Sequence, residues 1–130
     1  DLSAEIASTQ AFGLGDTVLV KGAGGIAAFA VCQYGPRSEA GADTCYVKIG
    51  VVRDGKSAAK DYARLVDACE ALAFSVGMPM VLAGVNMARH EAYRDLVNRG
   101  YRTEIQGVGM HRHNDPGYSR PGVYVIDDWR

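Results

Sequence analysis

The sequence carries almost no net charge: 14 Lys and Arg stand against 15 Asp and Glu, leaving −1 at neutral pH. With no excess of either sign, no global field draws the chain toward nucleic acid or an anionic membrane surface. Apolar runs are short, none nearing the roughly 20 residues that cross a bilayer. No secretory signal heads the chain. Cysteine is scarce as well. Cys32, Cys45 and Cys69 form an odd set without C-x-x-C spacing, which argues against a structural zinc site and a disulfide framework. They lie in apolar stretches and read as small buried hydrophobes of a protein in the reducing cytoplasm. Repeats, low-complexity tracts and internal linkers are absent too.

What is present fits one domain, 1–130. Of 130 residues, 48% are hydrophobic and 22% charged, enough to bury a respectable core. The start at Asp1 rather than Met suggests a trimmed piece of something longer.

Ser3 to Ala11 is mildly helical. Thr17–Val20 and Ile26–Cys32 flank the Gly-rich turn Lys21–Gly25, the pattern of an antiparallel hairpin. A Gly, Pro and Ser-rich loop, Tyr34–Asp43, leads to a third strand, Thr44–Val52. Over Ala58–Val76, Tyr62, Leu65, Val66, Cys69, Leu72, Ala73 and Val76 recur at steps of three and four. That spacing predicts an amphipathic helix, with Ser57 as N-cap and Gly77 as stop. Met80–Val85 reads as a short buried strand. A second helix follows, capped by Asn86, with Met87, Tyr93, Leu96 and Val97 on its apolar side and Gly100 as its end. Tyr101–Met110 alternates like a strand, His111–Gly122 reads as a polar loop, and Val123–Ile126 as a last strand.

One motif stands out. Gly50–Ser57 reads G-V-V-R-D-G-K-S and satisfies the nucleotide-binding pattern G-x-x-x-x-G-K-[ST]. A strand passing through a Gly-containing turn into a helix offers converging N–H groups and a helix dipole to a phosphate. Val123–Asp127 could be the apolar strand whose closing Asp holds Mg²⁺. Against a P-loop stand the β-branched Val51 and Val52, which prefer to prolong the strand, and the like charge of Asp54. An opening hairpin is also foreign to repeated βαβ units. Phosphate binding at the helix start survives these objections better than nucleotide hydrolysis does.

The order of elements, with V-N-M-A-R-H-E-A-Y-R-D-L-V-N-R-G-Y-R at Val85–Arg102, resembles the GNAT superfamily of N-acetyltransferases over about residues 16 to 127. The resemblance implies an α/β (α+β) fold: a mixed, mostly antiparallel sheet flanked by helices, here without the family's first strand and helix. It also suggests the C-terminal half of a tandem member. Acetyl-CoA would be the cosubstrate, and an amine or peptide amine the acceptor. The third strand would splay from its parallel neighbour so that Val51, Val52 and Arg53 meet pantetheine. Gly55, Lys56, Ser57, Ala58 and Ala59 would surround the pyrophosphate, and Asn86 would adjoin the cofactor besides capping its helix. The family's general-acid tyrosine falls at Leu96, so Tyr93, one turn earlier, is the candidate acid. Glu104 is the candidate base, an ordered water chain being the alternative. A degenerate, non-catalytic copy supporting a partner domain or a dimer is the second reading.

Other polar residues read more plainly. His111, His113 and Asp115, with His90 at a distance, make too sparse a set for a metal site. Lys48, mid-strand, would snorkel. Tyr118, Tyr124 and Trp129 could line an acceptor pocket or simply pack.

Overall fold

The hairpin forms where its Gly-rich turn predicts it. The computed structural model describes residues 1–110, 113 and 121–127. After α1 (Ser3–Ala11), β1 (Gly15–Gly22) and β2 (Gly25–Gly35) pair antiparallel, Thr17 opposite Val31 and Leu19 opposite Phe29. β3 (Gly41–Val52) adds antiparallel to β2. Next come α2 (Ala58–Ser75), β4 (Met80–Ala83), α3 (His90–Asn98) and β5 (Val125–Asp127). β4 joins β3 in parallel, as the crossover through α2 requires. β5 also pairs with β3, antiparallel. The result is an α+β fold, a five-stranded mixed sheet with helices, in keeping with the expected class.

α2 supplies most of the helical core. Tyr62, Leu65, Val66, Cys69 and Ala73 are buried, while Lys60, Arg64 and Asp67 are exposed. Their partners include Ala28, Ala30 and Cys32 of β2, and Cys45, Val47 and Val52 of β3. Both glycine stops close their helices in the same way. Gly77 (φ 74°) and Gly100 (φ 96°) take the left-handed conformation. The next residue then reaches back, Met78 N–H to Ala73 O and Tyr101 N–H to Leu96 O.

Several expectations need correction, the burial of β4 among them, since its residues alternate between exposed and half-buried. Ser57 makes no side-chain cap bond to α2; its backbone is already helical, with φ −92° and ψ −2°. α3 begins at His90, so Asn86 caps the preceding turn instead, its Oδ1 accepting from Ala88 N–H at 2.9 Å. The buried residues of α3 are Ala92 and Leu96, whereas Met87 and Val97 lie exposed. Tyr101–Met110 is the largest departure, because it forms no strand. Alternation alone makes no strand without a ladder partner, and the segment pairs with no described strand. Gly107 and Gly109 further weaken the segment.

Candidate functional site

The edge of β3 away from β2 is divided in two. Its first half, Thr44–Val47, pairs with Met80–Ala83 of β4. Its second half, Ile49–Val51, pairs with β5, with Gly50 opposite Ile126 and Val51 opposite Val125. Lys48 separates the halves, and the β2 register slips at this point: Val31 faces Ile49, while Cys32 faces Val47. The extra residue is a bulge, which bends the strand and re-aims its edge. The Lys48 ammonium lies 3.1 Å from Glu39 and 3.5 Å from Glu5. Burial pulls its pKa down, but these carboxylates outweigh burial and raise it.

Beyond the bulge β3 and β4 part, and β5 is wedged between them. Val52 N–H donates to Tyr124 O at 3.2 Å on one side, and Asp127 N–H to Gly84 O at 3.0 Å on the other. Ile126 is 1% exposed and packs where Gly50 has no side chain; a Cβ there would stand 3.3 Å from Ile126. The Tyr124 ring lies 4.9 Å from that of Tyr62, tilted by 37°. Arg89, itself buried, pairs with Asp127 Oδ2 at 2.8 Å. Asp127 Oδ1 is buried without a hydrogen bond among the described residues.

The octapeptide is therefore half strand. Gly50, Val51 and Val52 are held in β3, and a residue whose backbone is committed to a ladder cannot wrap a phosphate. Gly50 serves packing, and an isolated glycine within a strand was the signal for such close approach. Of the expected pantetheine residues, Val51 and Val52 meet β5, while Arg53 turns back. Its N–H donates to Ala27 O at 2.7 Å, and its guanidinium to Gly24 O at 3.3 Å.

Gly55, Lys56 and Ser57 are exposed, Ala58 is buried and Ala59 is exposed at the start of α2. Asp61 also sits in that first turn. Its carboxyl is held below the usual range, first by a hydrogen bond with Ser57, against the opposing effect of burial, and further by Arg64 at 2.9 Å. This carboxylate already uses part of the favourable potential there. Sequence reading passed over it because it lies on a helix among charged neighbours.

Tyr93 OH is 3.4 Å from Thr103 Oγ1 near the surface, and Glu104 is exposed on the segment that forms no strand. Asn86 is half-buried and engaged with Ala88. Two other phenols are engaged: the buried Tyr62 OH donates to Ala92 O, and the half-buried Tyr101 OH to Glu70 at 3.0 Å. Burial raises the pKa of Tyr62, and burial with the Glu70 charge raises that of Tyr101. His113 is exposed, whereas His111, Asp115, Tyr118 and Trp129 lie outside the described residues. Among the described residues no His, Cys, Asp and Glu group could hold a metal, and no helix is long and apolar enough to cross a membrane.

A depression of about 310 Å³ adjoins β5, lined in part by Leu2, Glu5, Lys48, Ile49 and Asp127. No protein-family model and no curated protein matches the chain. A solved structure, that of a mutant of TTHA1254 from Thermus thermophilus, is similar in fold. Its TM-score is 0.56 at 19% identity, over 78% of this chain and 73% of that one. At that identity the likeness concerns the fold alone.

Proposed function

We propose that the chain is an N-acetyltransferase domain that takes acetyl-CoA along the outer edge of β3 and transfers the acetyl group to an amine. The observation that carries this reading is the parting of the parallel strands β3 and β4 after four residue pairs, at a bulge, on the way to the start of α2. A diverging parallel pair opens a gap in which strand backbone can pair with an extended amide ligand, and here that gap is the one β5 fills. The exposed start of α2, with Lys56 beside it, suits the pyrophosphate at the ligand's other end.

In this mechanism the neutral amine attacks the thioester carbonyl, forming the C–N bond and a tetrahedral oxyanion. N–H groups of β3 stabilise that charge. Collapse breaks the C–S bond; the nitrogen sheds its extra proton to water, and the departing thiolate takes one from Tyr93, itself reprotonated by water, or from water directly. Glu104 or a water chain removes the ammonium proton beforehand. Three unpaired thiols fit a cytoplasmic setting.

Calorimetry with acetyl-CoA, CoA and Mg·ATP tests the reading. Binding of the CoA species alone is the expected result. Tight binding of Mg·ATP, abolished by Lys56→Ala, would replace it with nucleotide binding.

A second reading is favoured by β5 itself, which is already seated on that edge, and by Asp61 at the start of α2. A non-catalytic copy supporting a partner domain or a second copy of the chain would bind neither ligand.

A further inference from the structure

We propose that β5 is a removable strand that occupies the acyl-CoA groove and leaves when the ligand enters. This rests on the reading of the β3 edge as the seat of the pantetheine arm. Pantetheine is an extended chain with two amides, so it presents N–H and C=O groups much as a strand does. The donor it would need at Val52 is given to Tyr124 O, and the gap between β3 and Gly84 is bridged by Asp127 N–H. Ligand and β5 therefore exclude each other.

The hold of β5 is built to be finite. The strand is three residues long, and its end is fastened by the Arg89–Asp127 ion pair at 2.8 Å. The other oxygen of that carboxylate is buried without a partner among the described residues, a cost of the seated state that release would remove. Ile126 opposes release, since it is buried against Gly50 and Leu65. The seated form is thus the ground state, and apparent ligand affinity equals the intrinsic affinity scaled by the released fraction.

Cross-linking tests this directly. Val51 and Val125 stand opposite one another, and the three native thiols are buried, so Val51→Cys with Val125→Cys can lock β5 in place. Acetyl-CoA binding, read by calorimetry, should vanish in the oxidised double variant and return with reductant. Asp127→Asn should bind about fivefold more tightly, as expected for a weakened latch. In the unsubstituted protein, the Ile126 and Asp127 amides should exchange faster in saturating acetyl-CoA. Equal binding by oxidised and reduced forms, or unchanged protection of those amides, would overturn the removable strand and leave the CoA reading standing. Failure of Asp127→Asn to bind acetyl-CoA while its β5 amides exchange freely would remove the CoA reading, and this inference with it.

Discussion

Gly50 and Asp61 show how much a single position decides. At Gly50 the missing side chain makes room for Ile126, so Gly50→Val should lose about 1–3 kcal/mol of stability through overpacking. Urea unfolding of the two proteins measures it; equal midpoints would mean that Ile126 is not seated there. Asp61 has a lowered pKa, so its contribution is full above the ordinary value of 3.8 and is lost as pH falls through the still lower folded-state value. Asp61→Asn should therefore destabilise the protein at pH 7, and the gap should close as pH falls below 3.8. Thermal unfolding at stepped pH follows it, and a constant gap would assign the effect to something other than charge. The pattern G-x-x-x-x-G-K-[ST] was legible at Gly50, but its packing role was not, because Ile126 arrives from 76 residues away.

At the scale of elements, α2 links the core to the candidate site. Leu65 is fully buried against the sheet, and Leu65→Ala should cost about 2–5 kcal/mol, read as a lower unfolding midpoint. Its apolar stripe was legible because the 3.6-residue period is local to the chain. The exposed start of α2 carries a separate expectation. Lys56→Glu should weaken acetyl-CoA binding about fivefold, or ~1 kcal/mol, with stability nearly unchanged; calorimetry beside thermal unfolding separates the two. Tyr101–Met110 has strand alternation yet forms no strand. A ladder needs a partner strand as well as alternation, and the partner is not written in the alternating segment itself.

Across the whole molecule, the cysteines report on cooperative unfolding. Cys32 Sγ lies 3.7 Å from Cys69 Sγ, and all three thiols are buried. The hydrogen bond with Cys32, followed by burial, pushes the Cys45 thiol up, which suppresses the reactive thiolate. Alkylation by iodoacetamide should therefore be slow in the native protein, and all three should react together as urea opens it. Rapid labelling of one thiol under native conditions would reveal local opening between β2, β3 and α2.

The hairpin, the third strand, the amphipathic α2, the short β4, the glycine stops and the buried thiols were determined by the sequence itself. Each follows from spacing or turn chemistry within a few residues. Only the tertiary structure decided what meets the outer edge of β3. The bulge at Lys48 ends the parallel pairing with β4, and β5 fills the gap that opens. That choice depends on bringing Gly50, Gly84, Arg89 and Asp127 together, and no local pattern records a contact made across so much of the chain.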